Sequence, residues 1–289
     1  MDVDRGSYPD ARTPWNNAAW RREATGWLVE QLDRFEIEET GTAVLRLRPW
    51  SIIVRMEAAE PVWFKANPPG SAFEPALAQR LAELVPEHVL TPYAVEVERG
   101  WSLLPHGGQV LKNVEREPRH WEELLSQYAE FQRALVDHTD EMSKLGVPSA
   151  RLAELPKLFD FPWVADACAE LAALGIPETL DHADLHENQI FYGDRYTFFD
   201  WGDSAISHPF CSLRVPLERV ADQLGPEFVP RVRDAYLEHW PGDGRTLRRA
   251  ADLAWRLGVF GRALSWQRLF PGNDAISAEG IAEALDRLR

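Results

Sequence analysis

The chain has 289 residues, 45% hydrophobic composition and 12 tryptophans, which excludes a disordered polypeptide and is enough for one large domain or two modest ones. Thirty-one basic residues stand against 46 acidic ones, and the resulting charge of −15 argues against non-specific nucleic-acid binding, which needs a positive field. The same charge suits a cationic partner, or simply solubility. Only Cys168 and Cys211 are present, with no Cys-x-x-Cys pair, so free thiols in a reducing compartment are expected. No signal-peptide core and no apolar run near the ~20 residues of a membrane helix occurs, and the expectation is a soluble, cytoplasmic protein with no membrane partner.

After a polar leader, Trp20 to Arg34 places Trp20, Ala24, Trp27, Leu28 and Leu32 on one helical face. Three β-rich runs follow, Ile37 to Leu47, Ile52 to Met56 and Val62 to Ala66, connected by Arg48-Pro49-Trp50-Ser51 and by Glu57 to Pro61; they predict an antiparallel meander. Asn67-Pro68-Pro69-Gly70 breaks the pattern. Helical spacing resumes over Phe73 to Leu84, where Pro75 fits a first turn because its missing N–H has no partner there anyway. Two short strands, near Tyr93 to Val97 and Gly100 to Leu104, end at Pro105-His106-Gly107-Gly108, whose glycines are the candidate hinge.

Beyond the hinge the pattern turns helical. Trp121, Leu124, Leu125, Tyr128, Phe131 and Leu135 form an amphipathic stripe, and later helices are expected over Glu227 to Glu238, Leu247 to Leu269 and Ala278 to Leu288. The exception is a short strand pair, Gln189 to Tyr192 and Tyr196 to Phe199, around the turn Gly193-Asp194-Arg195. The expected architecture is α+β: a small β-rich N-lobe over residues 1–105 and a mainly helical C-lobe over residues 106–289.

The densest chemistry lies in HADLHENQIFYGDRYTFFDWGD, residues 182–203. A hairpin returns the chain to its starting point, so Asp184 before the first strand and Asp200 after the second can approach despite 16 residues of separation. Close carboxylates repel, and a cation is their natural companion. Phosphoryl transfer needs a group to orient the accepting hydroxyl, oxygen ligands for Mg²⁺ and positive charge on the phosphates. Asp184 is the candidate for the first, Asp200 for the metal, and the side-chain amide oxygen of Gln189 or Asn188 for a second metal ligand.

Lys65 is the candidate cation. It is one of four lysines, with Lys112, Lys144 and Lys157, and it interrupts the apolar run Val62-Trp63-Phe64-Ala66. A buried ammonium needs an anion beside it, and Glu74 on the next helix is the nearest choice. Lys65 held by Glu74 would reach the α- and β-phosphates of a nucleotide; the alternative is a lysine at a sheet edge that snorkels to water.

These residues resemble the aminoglycoside phosphotransferase and choline kinase superfamily, which shares the bilobal protein-kinase fold, over roughly residues 36 to 289. That family's catalytic loop reads H-x-D-x-x-x-x-N and is followed by a hairpin and an Asp at the place of the kinase D-F-G. Here the matching residues are His182, Asp184 and Gln189, then Asp200-Trp201-Gly202. The departure is Gln189 at the usual Asn position, with Asn188 one residue early. The resemblance implies Mg²⁺ and ATP as cofactors, an alcohol-bearing small molecule as acceptor, and a structural His182 packed under the loop. It implies that the backbone of Leu103 to His106, including Leu104 and His106, reads the adenine edge. The phosphate-covering turn Arg48-Pro49-Trp50-Ser51 has no glycine, and Ser51 is its candidate hydroxyl. Residues 203–211 leave no room for a long activation segment, which points away from a protein substrate.

For the acceptor, Asp203 and Glu218 are expected to hold a cationic molecule by charge-assisted hydrogen bonds, with His186 lining its pocket. Amino sugars, aminoglycosides or other antibiotics, and choline-like amino alcohols all fit that description. Trp255, Arg262 and Trp266 share one helix, and aromatic residues at that spacing are read as core. Two rivals stand beside this reading. His182, Asp184, His186 and His208 suggest a metallohydrolase, but no further His cluster or Cys pair completes a ligand set. A pseudokinase that only binds nucleotide predicts a missing part, whereas Lys65, Glu74, Asp184 and Asp200 are all present.

Overall fold

The computed structural model describes residue 4 and residues 13–114, 117–269 and 274–286. The chain groups into two compact units, one of residues 1–107 with 266–280 and the other of residues 108–265 with 281–289. The boundary falls between Gly107 and Gly108, and Gly108 has φ 94°.

The first unit begins with α1 (Ala18–Arg34), capped by Asn17, whose side chain accepts from the Ala19 N–H. The helix ends in a left-handed turn at Glu36, φ 54°, with Ile37 N–H donating to the Leu32 carbonyl at 2.9 Å. That closure takes Ile37 into the core as a cap contact, and β1 (Gly41–Arg48) starts four residues later than the sequence pattern predicts. Then come β2 (Ser51–Glu57), β3 (Val62–Ala66), α2 (Glu74–Leu84), β4 (Ala94–Glu96) and β5 (Trp101–Leu104). Pro75 does sit in the first turn of α2. The strands form one antiparallel sheet in the order β1-β2-β3-β5-β4.

Register decides which residues share a face of that sheet. Val54 opposes Phe64, Met56 opposes Val62, Phe64 opposes Leu103 and Ala66 opposes Trp101. With side chains alternating along each strand, these fall on one face, and they bury against Ala24, Trp27 and Leu32 of α1. Lys65, one residue out of step, belongs to the other face.

The second unit contains α3 (Pro118–Ala134), α4 (Thr139–Lys144), α5 (Leu155–Leu158), α6 (Pro162–Ala173), β6 (Thr179–Asp181), β7 (Ile190–Phe191), β8 (Thr197–Phe198), β9 (Ala205–Ser207), α7 (Arg214–Gln223) and α8 (Val229–Leu237). It also holds most of α9 (Gly244–Leu269) and the end of α10 (Asp274–Asp286). Residues 287 and 288 of the last expected helix lie outside the described residues. The stripe from Trp121 to Phe131 is the buried face of α3, which starts with Pro118 and a capping box between Glu117 and His120. Among the described residues no helix is long and apolar enough to cross a membrane.

Candidate active site

In the first unit, Lys65 and Glu74 are only 7% and 5% exposed, and Lys65 Nζ lies 2.6 Å from both carboxylate oxygens of Glu74. An ammonium with two short contacts is fixed in position, which a solvated lysine would not be. Lys65 therefore does not snorkel from a sheet edge: β3 is an inner strand, between β2 and β5. Ser51 is buried at the start of β2, opposite Arg48 across the β1–β2 turn. Leu104 ends β5 opposite Trp63, and His106 is exposed just beyond it.

In the second unit, two strand pairs shape the loop around Asp184, not one. β7 and β8 form the expected hairpin, Ile190 opposite Phe198. In addition β6, which leads into the loop, pairs antiparallel with β9, which leads away from Asp200 and Asp203. The chain is thus gathered on both sides of the carboxylates. Phe199 N–H donates to the Gln189 carbonyl at 3.1 Å, so Gln189 lies alongside the residue that precedes Asp200. Ala183 and Asp200 adopt left-handed φ values of 61° and 70°, each a strained choice for a non-glycine residue, of the order of 1–3 kcal/mol.

His182 is fully buried and packs on Trp201, with ring centroids 4.8 Å apart. Its Nε2–H donates to the Phe199 carbonyl at 2.9 Å, tying the loop to the far strand of the hairpin. Burial holds the imidazole below its usual pKa, hence neutral, against the pull of the Phe199 carbonyl and of Asp184, Asp200 and Asp203. The backbone N–H of His182 donates to Tyr128 Oη at 3.1 Å. Asp181, also buried, accepts from Ser212 Oγ at 2.7 Å and from the Ala183 N–H at 2.8 Å. These contacts hold the backbone on which Asp184 stands.

Asp184 itself is half-buried. Burial raises its carboxyl, Arg262 opposes that, and the charges of Asp203 and Asp200 add to it, for a pKa of about 6. Its Oδ2 lies 3.4 Å from Arg262 Nη1 and 3.7 Å from His186 Nε2. His186 Nδ1 accepts from the Asn188 N–H at 3.1 Å, which leaves the proton on the nitrogen facing Asp184. The Asn188 side-chain nitrogen also meets His186 Nδ1, at 3.3 Å, whereas the Gln189 amide has no partner among the described residues.

Asp184 opens on a cavity of about 780 Å³ within this unit. Ala183, His186 and Asn188 line one side, Arg214, Glu218, Arg219 and Asp222 of α7 another, and Gly258 and Arg262 of α9 the third. Gly258 is required there, because a Cβ would lie 2.7 Å from the Cys211 carbonyl.

Of the two acids expected to hold the acceptor, one lines the cavity and both lie beside arginines. Asp203 does not line it: one oxygen accepts from Arg262 Nη1 at 2.8 Å and the other from Ser265 Oγ. Glu218 does line it, but its carboxylate lies 3.0 Å from Arg214 Nη2. Both carboxylates already carry a guanidinium. Arg262 stands on the cavity wall, beside Asp184. Its helical spacing with Trp255 and Trp266 hid that role; only the β6–β9 pairing, which brings Asp203 under α9, reveals it. Glu187 was likewise not singled out. It is 1% exposed, and although burial works against ionisation, hydrogen bonds from Arg219 and Gln223 take it down to about 2.

The metallohydrolase pattern does not form. The His182 ring faces the Phe199 carbonyl, and His208 Nδ1 accepts from the Phe210 N–H at 3.2 Å, burial lowering that imidazole to about 3. Among the described residues no three His, Cys, Asp or Glu side chains gather as a metal cage.

No protein-family model matches the chain, and no curated sequence does. Solved structures do. A macrolide 2′-phosphotransferase from Brachybacterium faecium is 16% identical with a TM-score of 0.58, covering 90% of this chain and 98% of its own. A choline kinase from Streptococcus pneumoniae is 10% identical with a TM-score of 0.55, covering 92% and 99%. An aminoglycoside 2′-phosphotransferase in complex with GDP is 16% identical with a TM-score of 0.56, covering 91% and 97%. At these identities what is common is the fold, α+β with a β-sheet N-terminal part and a mainly helical remainder.

Proposed function

We propose, from the premise that this chain has the kinase-like fold of aminoglycoside and macrolide phosphotransferases and choline kinases, that it transfers the terminal phosphoryl group of a nucleoside triphosphate to a hydroxyl of a small molecule. The observation that carries this reading is Asp184, with a carboxyl raised to about 6, facing a cavity while the β7–β8 hairpin returns Asp200 beside it.

A carboxylate of that basicity suits a group that orients an alcohol and takes its proton as the oxygen attacks. Arg262 limits the rise of its pKa, keeping it mostly ionised at pH 7. Asp200 and Gln189 offer two hard oxygen donors on adjoining strands of a hairpin, which fits Mg²⁺, an ion that takes few protein ligands and keeps several waters. Bound there, Mg²⁺ would neutralise charge on the phosphates. The unpartnered amide favours Gln189 over Asn188, whose side chain already meets His186. Lys65, its rotamer fixed by Glu74, supplies a cation for the α- and β-phosphates. Leu104 and His106 carry the backbone proposed to meet the nucleotide base. ATP is the proposed donor, and GTP belongs beside it in any assay.

The test is release of nucleoside diphosphate from Mg·ATP and Mg·GTP over a panel of hydroxyl-bearing molecules: amino sugars, aminoglycosides, macrolides, amino alcohols, sugars and sugar acids. With an accepted molecule, Asp184→Asn should retain nucleotide binding and lose about 10²- to 10⁴-fold in turnover. Parental turnover in that variant would sink the role given to Asp184. Nucleotide binding with no diphosphate release across the whole panel would favour the pseudokinase instead.

A further inference from the structure

The cavity beside Asp184 is walled by guanidinium groups braced from behind. Arg262 is held through Nη1 by Asp203, at 2.8 Å, and by Asp184; its Nε and Nη2 have no partner among the described residues. Arg219 is held through Nε and Nη2 by Glu187, at 3.1 and 2.6 Å, and its Nη1 has none. Neither Asp203 nor Glu187 lines the cavity, whereas both arginines do. Arg214, the third, lies over the Trp255 ring at 4.3 Å and is tied to Glu218 and the Trp255 carbonyl.

A carboxylate behind a guanidinium fixes its orientation and leaves the outer edge for something else. Planar N–H edges of this kind match the paired oxygens of a carboxylate or phosphate. Against a polycation the same edges would be repulsive, and Asp222 is the one lining acid with no arginine ion pair among the described residues. Resting on the phosphotransferase reading, we propose that the acceptor carries an anionic oxygen group, in the first place a carboxylate, seated between Arg262 and Arg219 while its hydroxyl meets Asp184. About 780 Å³ accommodates a molecule of sugar-acid size or larger.

Matched probes separate this from a cationic acceptor: glycerate, glycerol and 3-amino-1,2-propanediol, then gluconate, sorbitol and glucamine, each trio differing mainly in one end group. Binding is measured by calorimetry with Mg²⁺ and a non-hydrolysable ATP analogue. The expected result is affinity for the carboxylate member at least about tenfold above the neutral one, the scale of one charge-assisted hydrogen bond. Arg262→Lys and Arg219→Lys, which keep the charge and so the buried partner satisfied, should each remove most of that preference, read as the ratio of carboxylate to neutral affinity within each trio. Equal binding within each trio, or preference for the two amines, overturns the proposal. So does an Arg262→Lys variant that weakens only the nucleotide, since the fork would then serve the transferring phosphoryl. Carboxylate preference without diphosphate release in any arm would uphold the anion site and sink the phosphotransferase reading, so the two fail separately.

Discussion

The ion pair of the first unit and the ion pairs around the cavity of the second use the same chemistry to opposite ends. Lys65 and Glu74 close on each other: both carboxylate oxygens meet one ammonium, and both residues are buried. Arg262 and Arg219 are engaged on one edge only and remain part of a cavity wall, with side chains 36% and 40% exposed. A closed pair places one point charge with little freedom. A half-engaged fork places donors with geometry, which is what recognition of a planar group requires. The difference also concerns stability, because removing one member of a closed buried pair strands the other in apolar surroundings, whereas water reaches the outer edge of an open one.

The largest effect should therefore come from the closed pair. Lys65→Ala is expected to destabilise the protein by about 3–5 kcal/mol, because Glu74 is left charged and buried. Lys65→Met combined with Glu74→Leu should recover most of that, since well-packed apolar replacements of a buried pair are often neutral, yet nucleotide-dependent stabilisation should be absent from both variants. Urea unfolding with and without Mg·ATP reads both quantities. A double variant as unstable as the single one would show that the pair is not a closed unit.

A smaller effect is expected beneath the loop of the second unit. Tyr128→Phe removes the hydroxyl that accepts from the His182 N–H and leaves that donor in a dry interior, at a cost of about 1–3 kcal/mol. Tyr128 belongs to a buried network in which Gln132 donates to the Leu180 carbonyl at 2.8 Å and Thr179 Oγ1 donates to the Gln132 carbonyl, also at 2.8 Å. Because this network carries the backbone of Asp184, the variant should also lose turnover at unchanged nucleotide affinity. Denaturant midpoints and diphosphate release measure the two effects. Full turnover with reduced stability would make the network purely structural.

What was legible in the sequence follows the same division. A lone lysine inside an apolar strand conflicts with its surroundings, and the conflict is local, so Lys65 and its partner Glu74, nine residues on, could be found from spacing. The meander, α2 and the stripe of α3 were equally local. By contrast, α6, with Pro162 in its first turn, was not predicted, and β6 and β9 are three residues each, too short to show a period. Pairing of Thr179 with Ser207 spans the whole loop, so nothing nearby announces it. Arg262 was hidden for the same reason: its partners Asp203 and Asp184 are 59 and 78 residues away, and no pattern within α9 distinguishes a cavity-lining arginine from a solvated one.

The smallest effect sharpens the comparison within the second unit, where two buried carboxylates titrate in opposite directions. Glu187, lowered to about 2, contributes stability that is present above its unfolded pKa of about 4.5 and is lost as the pH falls toward 2. Asp181 is raised to about 6 by burial, against hydrogen bonds from Ser212 and the Ala183 N–H. Its folded form binds a proton that the unfolded form has released, so stability falls as pH rises from about 4 to 6 and the penalty is complete above that window. One such group contributes a slope of at most about 1.4 kcal/mol per pH unit. Asn at 181 can still accept both hydrogen bonds through its oxygen and cannot ionise. Asp181→Asn should therefore flatten the stability profile between pH 4 and 6 while leaving the loss below pH 4.5 that belongs to Glu187. The slope will not vanish, because Asp184 is raised to about 6 as well and titrates over the same range. Denaturant unfolding across pH 3 to 7 decides it: an unchanged slope in the variant would mean that Asp181 is ionised throughout, and that Ser212 and the Ala183 N–H offset its burial in full.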